Sequence, residues 1–472
     1  MTAPPPNDPE PFAYEPPDPE RPASAAPAES VVENRSLSNG NPGNSGPYAA
    51  WKYRAFSLFS GGFAAALIGG QIQSAAVAWE IYSHGQREMD LGWLGLVQAI
   101  PVMLLALPAG HVADKYDRRT VVMIGQAVAM LCSIALAFLS HQAARGAISY
   151  QWFYLPLFIS SAAFTFNRAA RHAMLPSLVP RSAFTNAVTW NSSIFELSQV
   201  IGPNLGGILI ALQYKSGQSL WLAYCLAFAG QGLYLVFLAM IRILPTAKPA
   251  RPRVIDQGIA SGIRFVWRTK IILGTITLDL LAVLLGGATY MLPAYAVKVL
   301  HVGPVGFCML RAAPSVGAIL MAGLQAHLPP MRNAGRILLW SVAAFGLTTI
   351  GFGLSRSFLL SLAMLFLTGA FDNISVVVRH TLVQILTPDE MRGRVSAVNN
   401  VFIGASNELG GWESGATAQM FGLVPSVVVG GIGTLVVVGV VAWIWPQIRR
   451  FGSLHDAAMA MQSEVPSPVT AT

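Results

Sequence analysis

Charge is what this chain has least of. Of its 472 residues, only 11% are Asp, Glu, Lys or Arg, while 53% are hydrophobic. A soluble domain carries about 25% charged residues. So few charges cannot dress a surface this large for water, and lipid is expected to solvate most of it. Cysteine is scarce too: Cys132, Cys225 and Cys308 lie far apart within apolar runs. That spacing excludes a disulfide framework and a cysteine metal site, and the three read as small buried hydrophobes. The chain has no G-x-x-x-x-G-K-S/T loop and no H-E-x-x-H helix, and its eight histidines are scattered. No ATP-driven step, metal, cofactor or catalytic residue is expected. The net charge of +8 comes without an arginine stripe interleaved with aromatics, so nucleic acid is not an expected partner.

What is present is a succession of apolar segments from Ala55 onward, each of about 20 residues, the length that spans about 30 Å as a helix. Twelve can be counted before Arg449. Lipid offers unpaired backbone groups no partner, so helices are the expected form. Many glycines within them favour close helix approach. Residues 1–50 are rich in Pro, Ala, Ser and Asn. They cannot bury enough apolar surface to order themselves, and read as a disordered tail rather than a signal peptide.

The loops give an orientation. With the N-terminus cytoplasmic, 22 of the 30 Lys and Arg fall at inner positions and 5 at outer ones. The positive-inside rule then places both termini of this multi-pass chain in the cytoplasm.

Two stretches 208 positions apart repeat one pattern: Arg171-His172 returns as Arg379-His380, Pro180 as Pro388, Asn191 as Asn399, Ser198 as Ser406 and Gly202 as Gly410. Such a period implies two homologous membrane halves, the architecture of a secondary transporter. The expected fold class is an all-α integral membrane protein, with twelve transmembrane helices in two pseudo-symmetric six-helix bundles. The expected domains are a tail (1–50), a first bundle (51–243), a cytoplasmic linker (244–270), a second bundle (271–450) and a tail (451–472). Within the linker, Ile255 to Trp267 reads as a short amphipathic helix with Arg264 and Arg268 towards lipid headgroups.

The first inner loop, Gly110-His-Val-Ala-Asp114-Lys115-Tyr-Asp117-Arg118-Arg119, resembles the helix 2–3 loop of the major facilitator superfamily, G-x-x-x-D-R/K-x-G-R/K-R/K. The resemblance implies a gating loop of Gly110, Asp114, Lys115, Arg118 and Arg119, with Asp114 pairing to a helix end in one conformation. Asp117 stands where the family has Gly. Gly202-Pro203-Asn-Leu-Gly206-Gly207 resembles the antiporter motif G-P-x-x-G-G of drug exporters. Phe166-Asn-Arg-Ala-Ala-Arg171, Leu175-Pro-Ser-Leu-Val-Pro180, Thr387-Pro-Asp-Glu-Met-Arg392-Gly-Arg394 and Phe402-Ile-Gly-Ala-Ser-Asn-Glu408 resemble the efflux branch that includes siderophore (enterobactin) and macrolide exporters. The resemblance implies export of an organic small molecule.

Ionisable groups within apolar spans cost about 2.5–3.5 kcal/mol or more at the bilayer centre, so each is paired, wet or functional. Asp372 and Asp279, then Glu408 and Glu196, are the proton-coupling candidates, with Arg311 as counter-ion. Glu80, near a helix end, is expected to reach water. Gln71, Gln73, Asn167, Gln199, Asn399 and Asn400 are candidate cavity residues, and Trp190, Phe195, Tyr290 and Tyr295 candidate apolar wall. The expected partners are a siderophore-like or drug-like cargo, protons and membrane lipids, in a protein that works as a monomer. An uptake permease on the same fold is the alternative reading, and a membrane enzyme or sensor a remote one.

Overall fold

Without backbone partners in lipid, apolar runs close their hydrogen bonds internally, and every regular element among the described residues is helical. The computed structural model describes residues 46–215, 219–241, 258–329 and 331–452. The expected tails before residue 46 and after 452, and the linker over 242–257, lie outside them. The first half contains α1 (Arg54–Gly85), α2 (Glu88–Lys115), α3 (Arg118–Ala144), α4 (Tyr154–Met174), α5 (Arg181–Lys215) and α6 (Trp221–Met240). The second contains α7 (Gly258–Arg268), α8 (Lys270–Leu285), α9 (Leu292–Lys298), α10 (Pro304–His327), α11 (Ala334–Leu354), α12 (Phe358–Ile385), α13 (Asp389–Phe421), α14 (Leu423–Ile444) and the short α15 (Pro446–Arg450). A 3₁₀ turn at Ala288–Met291 joins α8 to α9.

Among the described residues, ten helical stretches are long and apolar enough to cross a membrane, with α8 and α9 acting as one. α4 and α13 have the length but not the apolarity. Both wall the central cavity, and their polar residues, Asn167, Arg168, Arg394 and Glu408 among them, face it. The outer faces are apolar: Trp340, Leu359 and Trp443 are more than 70% exposed, as a lipid-facing surface requires.

The two halves pack by one plan. α1 packs on α5 and α6, α3 on α4 and α6, and α2 on α4. Correspondingly, α8 packs on α13 and α14, α11 on α12 and α14, and α10 on α12. The seams between halves exchange in the same way: α2 meets α13, and α5 meets α10. α5 and α13 even begin 208 positions apart, at Arg181 and Asp389. This is the pseudo-twofold arrangement that the repeat implies.

The cores are divided at one end and joined at the other. One apolar cluster, with Phe56, Phe59, Tyr234 and Leu238, belongs wholly to the first half. Two more, around Leu338 and Val378 and around Val266 and Val395, belong wholly to the second. At the opposite end a single cluster takes Trp79, Tyr82 and Leu91 from the first half and Met291, Tyr295 and Phe307 from the second. The Trp79 and Phe307 rings lie 5.7 Å apart across the seam.

Two local details differ from expectation. Pro47 and Tyr48, expected in the tail, pack against α5. The Pro47 carbonyl accepts from Asn186 Nδ2 at 2.8 Å and Trp190 Nε1 at 2.9 Å, and Tyr48 stacks on the Trp190 ring. Trp190 thus anchors this segment and is not cavity wall. The amphipathic helix α7 packs against α13 and α8. There Arg394 donates to Ser261 Oγ at 3.1 Å, so its inward face belongs to the second half, while Trp267 stays exposed.

Candidate functional site

Between the halves lies a cavity of about 1110 Å³. Its mouth is at the end where the cores are divided, ringed by Gly110, His111 and Asp114 from α2 and Gly393 and Arg394 from α13. Its polar wall carries Gln71, Gln73 and Ser74 of α1, Gln98 of α2, Gln126 of α3, Asn167, Arg168 and Arg171 of α4, Gln231 of α6 and Glu408 of α13. Apolar wall comes from Phe63, Leu67, Phe164, Phe195 and Phe402. A large apolar chamber with a few convergent polar groups is the ordinary form of a small-molecule site.

The polar wall is organised rather than loose. Ser133 Oγ donates to Gln73 Oε1 at 2.6 Å and lies 3.0 Å from Gln231 Oε1. Asn167 Nδ2 donates to Gln126 Oε1 at 3.2 Å. Of the sequence candidates, Gln71, Gln73 and Asn167 border the cavity, whereas Gln199 does not. Asn399 is 2% exposed, sits behind the wall, and its Oδ1 has no partner among the described residues. The side chain of Asn400 lies outside the described residues. Tyr295 is buried structure: its ring packs tilted against Phe352, centroids 4.6 Å apart, and its hydroxyl donates to the Gly353 carbonyl.

The five embedded ionisable candidates separate into three settings. Asp279 is ion-paired with Arg379, which is 2% exposed. Arg379, one of the 22 inner-position charges, lies within α12, and its charge is neutralised inside the protein. Asp372 borders a small void that Asp279 also borders, and Glu196 of the other half is its charged neighbour. Glu408 faces the main cavity and accepts from the Tyr290 hydroxyl. Arg311 lies within electrostatic reach of Glu408 and Tyr290, and donates to Ser74 Oγ across the seam at 2.8 Å. Glu80 does not reach water. It is 3% exposed and accepts from Ser140 and Tyr224 hydroxyls, each at 2.7 Å.

In the loop after α2, Asp117 has φ −61° and ψ 118° and caps α3, accepting from Thr120 N at 2.9 Å. This backbone does not need the family's glycine, and the carboxylate satisfies a helix-end donor. Arg118 donates to the Ala173 carbonyl at 2.7 Å, and Arg119 to the Leu238 and Ala239 carbonyls at 2.8 and 2.7 Å. Both arginines thus close C-terminal helix ends, where cations are favoured. Lys115 lies 5.6 Å from the Tyr116 ring centroid. Asp114 has no hydrogen-bond or ion-pair partner among the described residues, and lies at the open mouth.

The glycines of the α5 motif are packing points. Gly202 admits Gln71 of α1, and Gly206 lies against Ile72. A Cβ on Gly207 would come within 2.7 Å of Cys308 Cβ on α10. Its copy 208 positions on, Gly415 of α13, would place a Cβ 2.5 Å from Gly92 Cα on α2. These two copies therefore make the two inter-half seams possible. Pro203, inside α5, lies between them and the cavity-facing turn.

The transmembrane secretion effector family model matches residues 45–470. The chain belongs to this family of major facilitator superfamily transporters. It is a transporter, not an enzyme, of the superfamily's efflux branch. The enterobactin exporter EntS of Citrobacter koseri is 28% identical over 74% of this chain and 82% of its own length. The multidrug efflux pump Tap of Mycolicibacterium fortuitum is 24% identical over 81% of this chain and 93% of its own. Two solved structures share the fold. A peptide transporter, POT, superposes with TM-score 0.67 at 13% identity over 84% of this chain and 95% of its own. An inward-facing, unoccupied bacterial homologue of the human lysosomal transporter Spinster superposes with TM-score 0.62 at 14% identity, covering 88% and 98%.

Sequence reasoning missed Arg168, Arg171, His172, His111 and Arg394 as cavity residues. The arginines were counted only as inner-position charges, and the histidines as scattered. The available signal was the Arg-His repeat itself, since a loop charge has no reason to recur in register with buried glycines.

Proposed function

We propose that this protein exports an organic small molecule across a bacterial inner membrane by alternating access, driven by inward proton flow. The carrying observation is the asymmetry of the cores: one shared cluster closes one end, and separate clusters flank an open cavity at the other. Rocking of two stiff bundles about such a cavity exchanges which end is open. The open end carries the basic 110–119 loop, so the positive-inside rule makes this the cytoplasm-facing state, with both termini in the cytoplasm. The siderophore and multidrug exporters among the relatives support outward transport of a siderophore-like or drug-like cargo.

Asp114 and the Arg118–Arg119 pair act as the cytoplasmic latch on this reading. Asp114 lies free at the mouth here and finds a partner on the second half when the mouth closes. Glu408 is the first proton site, because it faces the cavity, is held by a hydroxyl and has Arg311 as counter-charge. Asp372 with Glu196 is the second. Asp279 is already committed to Arg379.

Flux into and out of liposomes containing the purified chain tests the reading. A fluorescent drug-like cation, anion and neutral compound are each loaded, with and without an imposed pH gradient. Gradient-driven movement of cargo opposite to the proton is expected. Cargo movement in the same direction as the proton would favour the uptake permease instead.

A further inference from the structure

The duplication exposes one asymmetry in charge. Arg171 of α4 and Arg379 of α12 are copies, 208 positions apart. In the second half this charge is neutralised, for Arg379 is ion-paired with Asp279 of α8. In the first half the α1 residue that meets Arg171 is Phe63, which carries no charge. Arg171 is only 8% exposed. Among the described residues its side chain has no ion pair and no hydrogen bond; its guanidinium carbon sits 4.1 Å over the Phe63 ring. Burying a charge without a partner is costly, yet this one is kept on the wall of the cavity.

Two neighbours sharpen the point. Tyr234 also lines the cavity and is 1% exposed, and its hydroxyl has no partner among the described residues. It lies within electrostatic reach of Arg171. Arg168, one turn earlier, adds a second cation to the same wall. Of the two acids on the cavity wall, Glu408 is bound by Tyr290, and Asp114 makes no ion pair among the described residues.

We propose that Arg171, with the Tyr234 hydroxyl, is a subsite for the anionic group of an amphipathic organic anion such as a carboxylate or sulfonate. The guanidinium donates two parallel hydrogen bonds to such a group, and Phe63 and its apolar neighbours hold the body of the ligand. The second half has closed its equivalent subsite with Asp279, so recognition of charge is one-sided. The proposal rests on the reading of this cavity as the cargo site.

The purified full chain in detergent micelles is titrated with three probes on one ring system: 2-naphthoate, 2-naphthamide and 2-naphthylmethylammonium. Binding is read by the rise in unfolding temperature and by calorimetry. Naphthoate is expected to bind at least about tenfold more tightly than the amide, and the ammonium most weakly. Tyr234→Phe keeps every cation and removes only the unpartnered hydroxyl; it should weaken the preference. Arg171→Gln should abolish it. Equal binding of all three probes, no binding, or a preference that survives both variants would overturn the proposal. Binding is blind to direction, so an import result in the flux experiment would remove the export reading and leave this one standing. Export with charge-blind binding would do the reverse.

Discussion

Lys298 Nζ donates to Glu88 Oε1 at 2.5 Å, tying the last turn of α9 to the first turn of α2 across the closed end of the cavity. The Tyr82 ring lies beneath, 5.8 Å from the ammonium. The pair joins the two halves only while this end is shut. Its lysine is 43% exposed, and a pair this open to solvent contributes at most about 1 kcal/mol. Lys298→Ala should therefore raise the population open at this end by no more than about fivefold. The check is the labelling rate, from that side, of a cysteine placed at Ser74 in a chain lacking its native cysteines. An unchanged rate would mean that apolar packing alone holds the seam.

The seam itself should be far less tolerant. Gly415 and Gly92 bring α13 and α2 together with no room for a Cβ. Gly415→Leu is expected to keep this end from closing, leaving folded protein that transports at under about a tenth of the normal rate. Gly207→Leu, at the other seam, should behave alike. Normal transport with a normal elution profile would show that the seams open wider than the packing implies.

The Asp279–Arg379 pair makes a stability prediction. Removing one partner leaves an uncompensated buried charge, a loss of about 3–5 kcal/mol. Asp279→Asn should therefore lower the unfolding temperature markedly. The double variant Asp279→Asn, Arg379→Gln should recover much of the loss, because no charge is left unpaired. Thermal unfolding of detergent-solubilised protein gives both values, and equal losses in single and double variants would argue against a coupled pair.

Glu408 should behave differently from Asp279. Glu408→Gln keeps the size of the side chain and a hydrogen-bond acceptor for Tyr290, but removes the exchangeable charge. Gradient-driven flux should fall by more than about tenfold, while exchange of labelled for unlabelled cargo without a gradient persists. Loss of both modes together would mark Glu408 as a cargo contact instead.

Much of the fold was legible because the bilayer leaves so few options. Segment length, loop charge and the 208-residue register each constrain the chain independently, and they agree. The polar helices α4 and α13 were counted among the twelve apolar segments, although neither is apolar enough to qualify as a span by composition. The site was less legible. Asp279 and Glu408 look alike in sequence, each a lone acid in an apolar run, yet one meets Arg379 and the other meets Tyr290 and open cavity. Their partners come from different helices, and no spacing along the chain reports that.

Arg171 shows the same division. Sequence fixed its register with Arg379, because duplicated helices preserve the positions that pack. It did not fix its charge balance, because that depends on which residue of α1 faces it. Composition and the 208-residue period determined by themselves an all-helical membrane protein with two related halves, since lipid allows no unpaired backbone and a duplication leaves its period behind. Which end is shut, which acid is spent in an ion pair and which arginine stands unneutralised on the cavity wall were decided only in three dimensions, where electrostatic and steric partners are set by distance across helices rather than along the chain.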